Sequence, residues 1–389
     1  MHLRKTIVLA LATAFIFGCR KESNNTSASQ TDGCVSQRSY TDGNIIDGQY
    51  IVAYKPSSLD ARAASTQHIS RVSEDVLQRN KISPGVIKHV FQGEPGGFIA
   101  HLSKQEVASL RNDASIAAVE PDRVVALSTC FTVAEPRLIT WNVNRVGYGD
   151  GTGKTAWIID TGIEFDHPDL NVDQTRSRSF ISGVSSADDE NGHGTHVAGI
   201  IGAKNNTIGV LGVASGASLV SLRVLDKNGN GVLSSIIQAL GYVNTVGHAG
   251  DVVNMSLGED SVSTILDQQV QNTAARGIYI AIAAGNDKEP AKNFSPGRAN
   301  GTNIFTVSAI DSLDNFASFS NYGNDVVDFA EPGVHILSTY IGGRYAYMTG
   351  TSMAAPHMAG LLLLRGRSFT RSGVAKNDPD GTPDPIAHY

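Results

Sequence analysis

Between Thr155 and Ala309, short apolar runs alternate with longer segments of helical period, and this alternation limits the fold more than any other feature. Thr155-Ala156-Trp157-Ile158-Ile159 ends at Asp160 and reads as a strand covered on both faces, because such strands are apolar throughout. Residues 194–203, 233–245 and 265–276 read as helices; residues 217–224, 252–256, 278–283 and 304–309 read as strands. The alternation predicts an α/β fold with a doubly wound, mostly parallel sheet. Ligands of such sheets bind at the carboxyl ends of the strands. Asp160, Ser256-Leu257-Gly258 and Gly285-Asn286 all fall there.

Residues 46–128 read as a small N-terminal α+β domain. Gln49–Tyr54 is a strand stopped by Pro56, and residues 58–80 form an amphipathic helix. Strands over 86–91 and 97–102 flank a glycine-rich turn. Ser103 caps a second helix, with Glu106 completing a capping box. Residues 117–119 and 124–127 supply the last strand material. The order strand, helix, strand, strand, helix, strand is ferredoxin-like. Ahead of this domain, residues 1–19 have the basic start and short apolar run of an export signal. Ile16-Phe17-Gly18-Cys19 resembles a bacterial lipobox, which would lipidate Cys19; an ordinary signal cleaved nearby is the alternative. Residues 20–45 are a polar tether. Residues 129–375 form the large domain, and residues 376–389 are expected to be a loosely packed tail.

Lys and Arg number 31 against 37 Asp and Glu, a balance of −6, with no basic cluster to bind nucleic acid. Three cysteines in this length make no disulfide framework. Cys34 and Cys130 flank the small domain; a tethering disulfide and separate thiols both remain open.

The chemistry starts from Gly350-Thr351-Ser352-Met353-Ala354-Ala355-Pro356-His357, which opens an apolar run to Leu364. Proline suits the first turn of a helix, so Ser352 is placed at a helix start. There it is either an N-cap or a nucleophile in the positive field of the helix N-terminus. Nucleophilic acyl transfer also needs a base, an orienting carboxylate and oxyanion donors. His193, framed by glycines in Asn191–Gly199, Asp160, and the Asn286 side chain supply a candidate for each.

Asp160-Thr161-Gly162, the His193 motif and Gly350–Ala354 resemble the three signatures of the subtilisin-like serine proteases, in that family's order. The resemblance covers residues 143–365, and Phe319–Gly323 and Leu337–Thr339 lean toward the proteinase K branch. Residues 49–127 look like the family's inhibitory propeptide. The resemblance implies an exported endopeptidase made as a self-processed zymogen, with a Ser352, His193, Asp160 triad and Asn286 in the oxyanion hole. Processing is expected between Leu127 and Pro136. It implies a monomer acting on protein or peptide substrates, with Ser256, Leu257 and Gly258 as the substrate-binding strand. The first specificity pocket, walled by Asn293–Gly297, is expected to favour apolar or aromatic residues. It further implies structural calcium on Asp169, Asn206 and the carbonyls of Lys204, Ile208 and Val210. A second calcium would lie on Asp328 and the carbonyls of Thr302 and Ile304. Acid peptidases with Glu in place of His are disfavoured by His193. An inactive peptide-binding relative is disfavoured because all four catalytic positions are filled.

Overall fold

The computed structural model describes residues 43–58, 65–93, 95–126, 130–133 and 139–389. The signal, Cys19, Cys34 and most of the tether therefore lie outside the described residues. Nine strands form the main sheet in the order 370–374, 385–388, 329–332, 304–310, 279–283, 252–255, 155–160, 218–223, 178–179. All neighbours are parallel except the 370–374 and 385–388 pair. This is the doubly wound sheet that the alternation predicts.

The strand Thr155–Asp160 shows how its two faces are covered. Ala156 and Ile158 join the core built with the helices His193–Gly202 and Thr351–Arg365. Trp157 and Ile159 join the opposite core, built with the helices Leu233–Val246 and Thr264–Ala275. Period-two alternation thus divides an all-apolar strand between two layers.

The N-terminal domain follows the expected order. Its strand Ile116–Ala126 is continuous across Pro121, where two shorter pieces are predicted. Its helices are Thr66–Arg79 and Lys104–Arg111, and the Ser103–Glu106 capping box forms. Four strands lie in the order 116–126, 45–54, 97–101, 87–91, all antiparallel. Val52 and Tyr54 face this domain's own helices, whereas Ile51 and Ala53 pack into the layer of Leu233–Val246. The small sheet is buried on both sides.

The chain end departs from the expected loose tail. Pro385–His388 is a parallel strand against Phe329–Pro332, and Ile386 and Ala387 are fully buried. The short apolar Ile386-Ala387 pair lies among Gly, Pro and Asp, so no periodic signal announces it. Asp384 enters this strand buried, accepting from Ser308 Oγ at 2.6 Å. Burial, joined by the nearby Asp378, Asp380 and Asp328, pushes its carboxyl up to about 7. A carboxyl raised on folding contributes stability that is full below its unfolded value and is lost as pH rises through the folded one. Asp384→Asn keeps an acceptor for Ser308 and removes that loss. Its melting temperature should exceed the parent's by an amount that grows between about pH 4 and 7 and then levels. A gain of equal size at both ends of that range would contradict this.

Candidate active site

Three neighbouring parallel strands end side by side, and each delivers a polar group at its carboxyl end. Thr155–Asp160 delivers Asp160, Val252–Met255 delivers Ser256, and Tyr279–Ala283 delivers Asn286 three residues on. Asp160 is fully buried. Its two oxygens lie 2.8 and 3.0 Å from His193 Nδ1, and Thr161 N donates to Oδ1 at 2.7 Å. A carboxylate on both sides of Nδ1 places the imidazole proton there, which makes Nε2 the basic nitrogen. Nε2 is buried with no hydrogen-bond partner among the described residues.

His193 is the first residue of its helix. Gly192, at φ 113°, lies against the Tyr340 ring where a Cβ has no room. Asp189, fully buried, closes the helix start. Its Oδ1 accepts from Asn191 N at 2.9 Å and Gly192 N at 3.0 Å; its Oδ2 accepts from Thr195 N at 3.0 Å and Thr195 Oγ1 at 2.6 Å. This carboxylate cap for the base was not visible as such in the sequence, although Asp189 stands four positions before His193. His196, three residues on, is fully buried. Its Nε2 lies 3.0 Å from both the Ile336 and Ala346 carbonyls, and burial drives its pKa down to about 3.

Ser352 is the second residue of Thr351–Arg365, and Gly350 precedes the helix. Pro356 sits in the second turn instead of the expected first. Lacking an N–H, it leaves the Ser352 carbonyl without the usual helical donor. Ser256 Oγ donates to that carbonyl at 2.7 Å, and Ser352 Oγ donates to the Ser256 carbonyl at 3.2 Å. Asn286 Oδ1 accepts from Thr351 N at 2.9 Å and Thr351 Oγ1 at 3.0 Å, which orients the amide N–H₂ away from Thr351. Asp160 and His193 are brought together, as are Ser256, Asn286 and the Ser352 helix start. Ser352 and His193 are not joined by a hydrogen bond.

Leu257 is buried in the apolar layer. Gly258 faces Ser295, and Glu259 N donates to Ser295 O at 3.0 Å, so the expected pocket walls do stand opposite each other. An acidic group lies behind the second wall: Asp267 accepts from Ser295 Oγ at 2.7 Å. Arg298 stands 3.3 Å from this Asp267 carboxylate.

A further sheet edge, apart from Ser256–Gly258, carries an extended chain. Val124–Ala126 of the N-terminal domain pairs antiparallel with Asn230–Val232. Sequence reasoning missed this edge, although the Asn228-Gly229-Asn230-Gly231 turn before it marks an exposed backbone. Two carboxylates on the same N-terminal strand meet helix starts of the large domain. Asp122 accepts from Ser234 N at 3.0 Å and Ser234 Oγ at 2.5 Å, at the head of Leu233–Val246. Glu120 accepts from Ile265 N at 3.0 Å and from the hydroxyls of Ser263 and Thr264, at the head of Thr264–Ala275.

The loop expected to hold calcium is knit around Asp169. Asn206 Nδ2 and Val210 N donate to its carboxylate at 2.7 and 3.0 Å, Lys204 N donates to its carbonyl at 2.8 Å, and Ile208 N donates to Asn206 Oδ1 at 2.9 Å. The carboxylate is buried, which raises its pKa. A carboxylate, an amide and loop carbonyls are the kinds of oxygen ligand that a hard cation takes, and here the carboxylate accepts from N–H donors and from Tyr345 Oη. Asp328, raised to about 6 by burial, accepts from Thr306 N at 2.9 Å, next to the strand that begins at Ile304. Among the described residues no group of three or more His, Cys, Asp or Glu is placed to hold a metal.

Residues 151–368 match the Subtilase family, and residues 49–128 match the Peptidase inhibitor I9 family. The Thermostable alkaline protease of Halalkalibacterium halodurans is 41% identical over 330 residues, 84% of each chain. The M-protease of Shouchella clausii is 41% identical over 270 residues, 68% of this chain and 67% of that one. A solved cold adapted subtilisin-like serine proteinase, 32% identical, superposes with a TM-score of 0.57 over 65% of this chain and 98% of its own.

Removing either cap carboxylate tests the docking of the two domains. Glu120→Ala and Asp122→Ala should each lower the stability of the intact chain by about 0.5–2 kcal/mol, the usual worth of an N-cap. Denaturant midpoints should fall with little change in slope. Unchanged midpoints for both variants would show that the caps contribute nothing.

Proposed function

The chain belongs to the subtilase family and is a serine endopeptidase with an inhibitor-type N-terminal domain, and we propose that Ser352, His193 and Asp160 carry its chemistry. The observation that carries this reading is the buried His193 imidazole. Its Nδ1 is held on Asp160 and its Nε2 has no partner among the described residues.

Ser352 Oγ attacks the carbonyl carbon of the scissile peptide, and His193 Nε2 accepts the hydroxyl proton. Asp160 keeps the Nδ1–H tautomer and stabilises the imidazolium that forms. The tetrahedral oxyanion is bound by the Asn286 side-chain N–H₂ and by the Ser352 N–H, one of the unpaired donors of the helix start. His193 returns the proton to the leaving amine, and an acyl-enzyme on Ser352 remains. Water, deprotonated by the same imidazole, releases the second product. In the intact chain Ser352 Oγ donates to the Ser256 carbonyl, and attack on a substrate must release that bond. Such geometry often tightens only in the complex.

Substrate lies as an added strand on Asn230–Val232, as Val124–Ala126 does, with Ser256–Gly258 and Asn293–Gly297 as the walls of the first pocket. Apolar or aromatic residues before the cut suit those walls, because the Asp267 carboxylate behind Ser295 is already engaged with Ser295 and Arg298. The N-terminal domain is the inhibitor of this cleft. The chain runs along the enzyme edge as far as Ala126, and from Cys130 it runs along the strand Arg344–Thr349 that leads to Ser352. On this reading self-processing falls between Leu127 and Phe131, the first part of the Leu127 to Pro136 stretch that the sequence suggests. Export, by an ordinary signal or with a lipid on Cys19, completes the reading of a secreted or envelope-bound zymogen.

Ser352→Ala should fold, remain at full length and lose labelling by a serine-directed fluorophosphonate. In the parent, N-terminal sequencing of the processed chain should start between Leu127 and Phe131. Normal maturation of the alanine variant would remove self-processing, and labelling at another serine would remove Ser352 as nucleophile.

Calcium is proposed on Asp169, Asn206 and the carbonyls of Lys204, Ile208 and Val210. A second site is proposed on Asp328 and the carbonyls of Thr302 and Ile304. Bound there, the cation would offset the charge of a buried carboxylate. A chelator should lower the melting temperature by roughly 2–4 °C for each kcal/mol of binding lost, and Asp169→Asn should abolish most of that response. An unchanged melting curve with chelator would dismiss both sites.

A further inference from the structure

The helix His193–Gly202 turns its positive end toward the base that begins it. Aligned peptide dipoles leave a partial positive charge at a helix N-terminus, and that field opposes an imidazolium formed there. The N–H groups of this start all have acceptors. Gly192 N and Thr195 N each donate to Asp189 at 3.0 Å, His193 N donates to Asn191 Oδ1 at 3.1 Å, and Gly194 N donates to Thr161 Oγ1 at 2.9 Å. Asn191 and Thr161 are neutral, so among these acceptors Asp189 alone brings a charge. Asn191 N at 2.9 Å and Thr195 Oγ1 at 2.6 Å bring its donors to four. Burial raises its carboxyl, and the four donors draw it back. At 7% exposure its charge is little screened by water.

The other titratable groups on the elements packed against this helix do not duplicate that charge. Asp160, at the end of Thr155–Asp160, acts on Nδ1 of the ring. His196 on the same helix and His357 on Thr351–Arg365 are neutral, because burial drives the pKa of each down to about 3. Tyr340, on Ile336–Tyr340, donates to the Asn191 carbonyl, and burial raises its phenol, so it stays uncharged. Arg223, at the end of Ser218–Arg223, donates to the Asp188 carbonyl at 2.7 Å and to Glu190 at 2.6 Å. The Asp188 side chain accepts from Phe165 N at 2.9 Å. We propose that Asp189 is a positioning residue for the reaction: its carboxylate offsets the positive end of the helix, so that His193 can hold the proton taken from Ser352. Asp189 touches neither substrate nor the reacting atoms, and it acts on the base through the helix start. Two carboxylates then serve one imidazole, Asp160 at Nδ1 and Asp189 at the backbone that carries the ring. This inference rests on the reading of His193 as the base.

The test follows kcat and KM for one peptide across pH in the processed parent, Asp189→Asn and Glu190→Gln. Asparagine keeps an acceptor for Asn191 and Gly192 and removes the charge. The acid limb of kcat/KM should move down by about 0.5–1 pH unit, because an imidazolium without that carboxylate forms less readily. On the plateau kcat should fall roughly three- to tenfold, as expected of a weaker base, with KM unchanged. Lost packing alone would lower the melting temperature and leave the limb in place. An unmoved limb in an active Asp189→Asn enzyme therefore overturns the proposal and leaves the triad standing. The Glu190 side chain is 59% exposed, so water screens its charge, and Glu190→Gln should leave the limb where it is. An equal shift in that variant overturns the proposal as well. A parent without an acid limb overturns the reading of His193 as the base, and this inference with it. Should Asp189→Asn not mature, the unmutated chain decides. The NMR shifts of the Gly192 and Thr195 amides, which donate to this carboxylate, should show it ionised throughout the pH range in which activity rises. A carboxyl that loses its proton only within that range overturns the proposal.

Discussion

The missing N–H of Pro356 determines where Ser352 stands. An ordinary residue there would donate to the Ser352 carbonyl and close the helix on itself. Proline leaves that carbonyl to Ser256, whose hydroxyl reaches it from the end of the adjoining sheet strand. Thr351 is tied in the same way to Asn286, at the end of the next strand. The helix start is thus bonded to two strand ends, and a third strand end holds the imidazole through Asp160. One such bond is worth only about 1 kcal/mol net, but a buried carbonyl with no donor costs about 1–3 kcal/mol. The geometry of the site is therefore tied to the ends of the sheet strands.

What the sequence made legible follows the range of each interaction. The alternating sheet and helix order is periodic and local, and it is recovered nearly residue by residue. The Ser103–Glu106 capping box spans three residues, and it too is legible. Asp122 caps Ser234 across a separation of 112 residues, and Glu120 reaches Ser263 across 143. No local pattern encodes such a partner. The triad candidates were found because each stands in a short glycine-framed motif whose chemistry demands it. The Asn230–Val232 edge was missed because its partnership is made through backbone, which carries no side-chain signature. Pro385–His388 was missed because a strand of four residues in a Pro, Gly and Asp context has no periodicity to read.

The small N-terminal sheet is sandwiched between its own two helices and the helical layer of the large domain. Its docking combines three kinds of contact. Ile51, Ala53, Phe91 and Ile99 supply apolar area, Glu120 and Asp122 satisfy helix N–H groups, and Val124–Ala126 completes a sheet edge. The apolar area is indifferent to sequence register, whereas the caps and the strand pairing are not. The polar contacts therefore set the alignment of the segment that enters the cleft, and the apolar ones supply most of the holding energy.

The position of Glu120 and Asp122 bears on the life of the enzyme after processing. They satisfy two helix starts in the intact chain, and under the proposed processing they would leave with the domain that carries them. The enzyme that would remain lacks those two carboxylates at its helix starts. Its persistence is then a matter of how slowly it opens, not of how far the balance favours the closed state. For a protein that digests whatever unfolds near it, including its own copies, a high barrier is the relevant form of durability. If the two carboxylates depart after processing, the route to the folded state would be one-way.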